Sequence, residues 1–323
     1  FKVGHTSTSI SLASGLVKAR DILNHHENVI AIIGDGSLSG GEALEGLNFV
    51  GSEIKSNFII VVNDNEQSIA ENHGGLYQNL KNLRNNSSQN NIFKAFNLDY
   101  IYLEEGNNLE KLISLFKKIK DINHPIVVHI HTQKGKGYQL AELNKEKWHY
   151  TKPFNQETGE LINSIQLTYP SITANYLINK VKQDPKVVVV TAGVPLAIGL
   201  DQEKRKLLGQ NYIDVGIAEE HAIALISGLA KNGCKPIFGT NATFLQRTYD
   251  QISQDLCLNN SPATIVIGNT SLISLNDVTH LGIFSISAFK NIPNLVLLAP
   301  TDKNEYLAML DYSLNQNKHP TLI

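Results

Sequence analysis

Two apolar runs that each end in a small polar cluster constrain this chain most. Val29-Ile30-Ala31-Ile32-Ile33 closes on Gly34-Asp35-Gly36, and Phe58 to Val62 closes on Asn63-Asp64-Asn65. Short continuous runs rich in Val and Ile read as strands buried on both faces, which is the signature of a parallel sheet. The acid and the amide then stand at the carboxyl ends of such strands, where open α/β sheets place their ligands. Mg²⁺ takes oxygen ligands in a near-octahedral shell. The Asp35 carboxylate, the Asn65 amide oxygen, a nearby backbone carbonyl, two phosphate oxygens and water would complete one, so the pattern reads as a magnesium diphosphate site. The glycines beside Asp35 let the backbone approach the phosphates and open the next helix toward them. Gly-Asp-Gly alone describes a tight strand-to-loop turn equally well. The Asn63-Asp64-Asn65 cluster at this spacing is what favours the metal reading.

At 323 residues and 42% hydrophobic content, the chain can bury two cores. A formal net charge of −2 without a basic block points away from nucleic acid and from anionic membranes as partners. No apolar run reaches the ~18 residues that a membrane span requires. Cys234 and Cys257 lack metal or redox spacing and read as reduced, buried apolar groups, from which a cytoplasmic or equally reducing compartment follows. The only methionine is Met309, and Pro320 to Ile323 reads as a strand just beginning, so the expectation is a fragment or the ordered part of a longer protein.

Helix-like and strand-like segments alternate through the first half: a helix from Ser9 to Asn24, the first strand, a helix from Gly40 to Gly51, then the second strand. The Asn/Ser-rich stretch from Lys81 to Asn91 reads as a solvated loop or the scar of a longer segment. A helix from Leu109 to Lys120, a strand from Ile126 to His131 and the loop Lys134-Gly135-Lys136-Gly137-Tyr138 follow. Periodicity fades between Tyr150 and Gln166. A second set then runs helix 171–181, strand 187–190, helix 219–231, strand 236–239, helix 243–258, strand 264–268, strand 295–298 and a helix from Lys303. The expected fold is therefore α/β: two consecutive domains with mainly parallel sheets flanked by helices, at 1–150 and 167–323, joined by a linker at 151–166.

Six blocks carry a resemblance. They are Gly4-His5-Thr6-Ser7-Thr8-Ser9-Ile10-Ser11, the run from Gly34 to Asn48, Asn63 to Ile69, Lys134 to Tyr138, Asp214 to Ala222, and Thr243-Phe244-Leu245-Gln246-Arg247. In this order they resemble the 1-deoxy-D-xylulose-5-phosphate synthase family, of the transketolase-like thiamin diphosphate enzymes. The resemblance implies a diphosphate-binding first domain, a pyrimidine-binding second domain, a cofactor spanning the two and a homodimer. It also implies thiamin diphosphate and Mg²⁺ as cofactors, with pyruvate losing CO2 as its two-carbon fragment joins glyceraldehyde 3-phosphate. The alternatives are ketol transfer of the transketolase kind to another acceptor, and a catalytically impaired paralogue.

By that resemblance Asp35 and Asn65 ligate Mg²⁺ and Gln67 supplies a backbone carbonyl, while His5, Ser7, Gly34, Gly36, Ser37 and Lys134 lie near the diphosphate or thiazolium. Hydroxyl, ammonium and N–H donors suit anionic oxygens. Glu219 would hydrogen-bond N1′ of the aminopyrimidine, and a glutamate buried beside Ile217, Ala218 and Ala222 should titrate high enough to share that proton. Phe244 would stack on the ring, Arg247 would grip the acceptor phosphate, and His149 and His280 would border the reacting carbons.

The match fails in places. An arginine expected to hold phosphate is Asn269, a tyrosine before the stacking Phe is Asn241, the acid before His280 is Asn276, and a Gly-Pro-Val-Asp-Gly-His-Asp block is Tyr102 to Asn108. Losing one charge-assisted phosphate contact costs roughly 1.5–3 kcal/mol, about one to two decades in binding. The family's N-terminal segment and third domain are also expected to lie outside this sequence.

Overall fold

The computed structural model describes residues 1–162, 168–270 and 278–323. The chain divides into two compact units, His5–Ile162 and a second formed by Phe1–Gly4 with Asn163–Ile323.

The first unit carries four parallel strands, β1 (Ile30–Gly34), β2 (Phe58–Asp64), β3 (Asp99–Leu103) and β4 (Pro125–His131), in the order β1-β2-β4-β3. Its helices are α1 (Ser9–Ile22), α2 (Gly41–Glu53), α3 (Gly75–Arg84), α4 (Ile92–Ala95), α5 (Leu109–Ile119) and α6 (Gln139–Leu143). α1 and α2 lay Ile10, Val17, Leu47 and Val50 on one face of the sheet, against Ile33, Ile60 and Val62. Leu112, Leu115 and Phe116 of α5 cover Ile59, Val61 and Val128 on the other. Covering both faces explains the continuous apolar runs of β2 and β4. Asn108 starts α5 by accepting hydrogen bonds from the Glu110 and Lys111 amides. The register pairs Gly34 with Asn63 and Asp64 with His131, so the polar ends of β1, β2 and β4 come level.

Residues 151–162, expected as linker, belong to this unit. Phe154 bridges to Leu161, and the Trp148 and Phe154 rings meet edge to face at 4.5 Å. The aromatic contact offsets the missing periodicity, which is why the pattern alone reads as linker.

The second unit holds six parallel strands, β5 (Val187–Thr191), β6 (Tyr212–Asp214), β7 (Lys235–Asn241), β8 (Thr264–Gly268), β9 (Val296–Leu297) and β10 (Thr321–Leu322), in the order β6-β5-β7-β8-β10-β9. The order reverses beside β5, and the crevice at such a switch point is where this architecture binds ligands. α7 (Tyr169–Gln183), α8 (Gln202–Leu208) and α13 (Lys303–Asn315) frame one core; α9 (Glu219–Lys231) and α12 (Ser285–Phe289) contribute to the other. Thr168 and Ser171 form a capping box that starts α7, with Pro170 in its first turn. The long helix expected from Thr243 is instead α10 (Ala242–Leu245), a 3₁₀ turn, α11 (Tyr249–Gln251) and a π-helical turn at Ile252–Cys257. Cys257 is buried, and both cysteines are free thiols. Among the described residues no helix is long and apolar enough to cross a membrane.

Gly51 in α2 sits against the connection that leads to β3: a Cβ there would lie 1.8 Å from the Phe96 carbonyl oxygen. A backbone atom cannot rotate aside. Gly51→Ala is therefore expected to lower stability by about 1–3 kcal/mol, read as a fall in the urea midpoint with an unchanged slope.

Candidate active site

In the first unit the sequence-predicted ligands converge on the ends of β1 and β2. The Asp35 carboxylate is buried, accepts from its neighbour's amide at Gly36 (2.9 Å) and from the Asn72 side chain (2.8 Å). The Asn65 oxygen accepts from the Gln67 amide at 3.1 Å, closing the turn that carries both residues. Ser7, buried and left-handed at φ 80°, donates to the Ser37 carbonyl at 2.8 Å, and Tyr77 donates to the Gly36 carbonyl at 3.3 Å. Gly34, Gly36 and Ser37 thus belong to one turn beside Asp35, and Ser7 is tied to it by its hydrogen bond to Ser37. His5 is half-buried at the start of the unit. A cavity of about 450 Å³ opens beside these groups, lined by Asp35, Asp64, Gln67, Asn72, Tyr77 and Arg84 among others.

The electrostatics of this corner are uneven. Burial pushes the Asp35 carboxyl up, and the Asp64 carboxylate beside it pushes further. Burial acts on Asp64 as well, but the His129 hydrogen bond and the Arg84 charge outweigh it and hold Asp64 low. Lys134 donates to the Ser68 carbonyl and stands 3.0 Å from His149 Nδ1. Desolvation lowers its ammonium to about 8, although Asp35 pulls the other way.

A buried acid with a raised proton affinity is a place where a cation is welcome. Among the described residues no cluster of three or more His, Cys, Asp or Glu side chains could hold a metal ion. The expected donors are of another kind, one carboxylate, one amide and one carbonyl, with phosphate oxygens completing the shell. The buried Asn72 Oδ1, which lacks a hydrogen-bond partner, adds a polar atom to the same corner. The donor chemistry fits magnesium with a diphosphate.

In the second unit Glu219 opens α9, and its side chain is only 3% exposed. Its Oε2 lies 3.5 Å from Arg247 Nη1 and makes no hydrogen bond. Desolvation drives the carboxyl up to about 7 despite the Arg247 charge. The loop before it is pinned by Asp214, whose Oδ1 accepts from the Gly193 and Gly216 amides, both at 2.9 Å. Phe244 on α10 meets the His280 ring edge to face at 5.5 Å. Asn269, left-handed at φ 52°, donates to the Asn241 side chain at 3.0 Å. Asn276 lies outside the described residues.

Several participants escape sequence reasoning. Asp214 begins a quoted block, yet its role depends on two glycine amides that only folding brings to it. Asn72, Arg84 and His129 carried no motif signal at all.

With both units in view, the chain is similar to known proteins along nearly its whole length. The "1-deoxy-D-xylulose-5-phosphate synthase" family matches residues 1–92 and 84–132, two pieces that meet around the connection between α3 and α4. The "Transketolase, pyrimidine binding domain" family matches residues 166–323. The fold is thus that of the transketolase-like class. The 1-deoxy-D-xylulose-5-phosphate synthase of Clostridium acetobutylicum is 35% identical over 354 aligned positions, covering 98% of this chain and 57% of the relative. That of Clostridium beijerinckii is 37% identical with the same coverage. The chain belongs to the 1-deoxy-D-xylulose-5-phosphate synthase family. It spans little more than half the length of these relatives, 57%. The alignments exceed its own 323 residues, so the relatives carry internal residues that this chain lacks.

Because folding raises the Glu219 carboxyl from its ordinary 4.5 to about 7, the folded state binds more protons than the unfolded state between those values. The contribution of this carboxyl to stability is then fully present below pH ~4.5 and is lost as pH rises through ~7. Glu219→Gln removes the titration, so at pH 8 the variant should exceed the wild type by up to about 3 kcal/mol, with the gap closing toward pH 5. Urea melts at the two pH values measure it, and a gap independent of pH would refute it.

Proposed function

We propose that this chain is the diphosphate- and pyrimidine-binding part of a thiamin diphosphate-dependent transferase, which joins the two-carbon fragment of pyruvate to an aldehyde phosphate with loss of CO2. Glyceraldehyde 3-phosphate is the acceptor and 1-deoxy-D-xylulose 5-phosphate the product in this reading, which extends to a homodimer in the cytoplasm. The buried, unbonded Oε2 of Glu219 carries it: a carboxyl kept dry and near neutral is suited to share a proton with a weakly basic ring nitrogen.

Thiamin diphosphate, when bound, supplies the carbanion chemistry. Asp35, Asn65 and the Gln67 carbonyl hold magnesium, and Gly34, Gly36, Ser7, Ser37, His5 and Lys134 hold the diphosphate or thiazolium. Glu219 holds the proton at N1′ of the aminopyrimidine, and Phe244 supports the ring face. His149 and His280 move protons at the substrate oxygens. Arg247 holds the acceptor phosphate, and its proximity to Glu219 places a fixed positive charge next to the proton-sharing carboxyl.

A second acceptor is favoured by one observation. The Asn241–Asn269 amide pair is neutral where the resemblance implies a tyrosine and a phosphate-gripping arginine. An uncharged hydroxyaldehyde accepted by ketol transfer would suit it.

Calorimetric titration with thiamin diphosphate and Mg²⁺, paired with pyruvate turnover, tests the roles. Asp35→Ala should weaken metal-dependent cofactor binding by ~100-fold, whereas Glu219→Ala should bind within ~10-fold of wild type yet lose ~10²–10⁴ in CO2 release. A Glu219→Ala protein that decarboxylates pyruvate at the wild-type rate sinks the reading. Product analysis with phosphorylated and unphosphorylated aldehydes decides the acceptor.

A further inference from the structure

The acids flanking Asn65 each have two partners. Arg84, at the end of α3, pairs through Nη1 with Asp64 and through Nη2 with Glu66 Oε2 at 3.3 Å. β4 offers the same acids two histidines two residues apart, hence on the same face of the sheet. His129 Nε2 bonds Asp64 Oδ2 at 2.9 Å, and His131 Nε2 bonds Glu66 Oε1 at 3.1 Å.

Each histidine is oriented in turn from β3. The Tyr100 hydroxyl meets His129 Nδ1 at 2.8 Å, and Glu104, itself bonded by Tyr102, meets His131 Nδ1 at 3.1 Å. His129 is wholly buried and Asp64 is 1% exposed, so these partners are screened from water and geometrically fixed. Glu66 is held left-handed at φ 67°, a conformation that needs such support. The result is a ladder from β3 through β4 to β2 that ends on the residues either side of Asn65.

We infer that Arg84, His129 and His131 are positioning residues for the magnesium-binding turn, holding Asn65 and the Gln67 carbonyl in ligand geometry before any ion arrives. This rests on the proposed cofactor reading. None of the three is a ligand in that reading. The bidentate grip on Asp64 and Glu66 is something a lysine ammonium cannot reproduce at both acids.

Calorimetry of the whole chain with Mg²⁺ at saturating thiamin diphosphate is the test, alongside melting temperatures without either. Arg84→Lys should weaken Mg²⁺ binding ~10–100-fold, the range seen when the supporting shell of a metal site is removed, and His131→Val, at a partly exposed position, ~10-fold. Glu66→Gln keeps one acceptor oxygen and sets an NH₂ donor against the other partner, so it should weaken Mg²⁺ binding by ~10-fold, as loss of one rung does. His131→Val changes a half-exposed side chain and leaves the fold intact, so it decides the matter if Arg84→Lys does not fold. Variants that melt lower yet bind Mg²⁺ as the wild type does would reduce the ladder to a structural brace and overturn the inference. A wild type that binds neither Mg²⁺ nor thiamin diphosphate would instead overturn the cofactor reading, and the inference with it.

Discussion

A carboxylate buried at the end of a parallel strand must be answered by a partner, because the charged form loses its hydration and gains little from an apolar surround. The first unit places two such acids, Asp35 and Asp64, side by side and answers them unequally. Asp64 receives Arg84 and His129, whereas Asp35 accepts from the Gly36 amide and the Asn72 side chain and has the Asp64 carboxylate beside it. The imbalance leaves one acid neutralised by the protein and the other short of a counter-charge. Everything else in that corner, from the left-handed Ser7 to the turn at Asn65, keeps the under-compensated acid in place and accessible to a cavity.

The second unit treats its acids by the same logic. Asp214 is saturated with hydrogen bonds from two backbone amides and the Thr191 and Tyr212 hydroxyls, and it locks the loop before α9. Glu219 is buried, with the Arg247 guanidinium 3.5 Å away as its neighbouring charge. In both units one acid is built into the frame by its donors, and a second buried acid has its proton affinity raised. Desolvation accounts for the raised carboxyl in each case, which is why each appears in the structure as a strained proton affinity rather than as a broken fold.

The period of the apolar residues made much of this legible. β1, β2, β4, β8 and α9 lie where the runs of Val and Ile and the amphipathic spacing put them. Burial on both faces leaves the inner strands β2 and β4 little choice of residue type, whereas β1 is an edge strand that exposes Ile30 and Ile32 and is not covered on both faces as its apolar run implies. β3 was not legible: Tyr100 and Tyr102 alternate on a half-buried strand, and no turn chemistry marks its start. β6 is three residues long, too short for any period to show. The segment after Phe244 carries helical spacing throughout, yet passes from α through 3₁₀ to π geometry, a difference of hydrogen-bond register that spacing cannot encode. Asp35, Asn65 and Glu219 could be read because they end or begin regular elements. The ladder behind Asn65 could not, since it depends on β3 lying beyond β4 rather than beside β2.

That strand order also gives meaning to the block from Tyr102 to Asn108, where the resemblance breaks. Tyr102 and Glu104 form the outer rung that orients His131, and Asn108 caps α5. Gly106 passes so close to β4 that a Cβ would lie 2.4 Å from the His131 carbonyl oxygen, which leaves glycine as the residue the contact admits. Tyr102, Glu104, His131 and Glu66 are hydrogen-bonded in sequence across three strands, and the set ends beside the turn at Asn65. The block from Tyr102 to Asn108 is thus tied by hydrogen bonds to the turn at Asn65, and the neutral Asn241–Asn269 pair lies within the other unit.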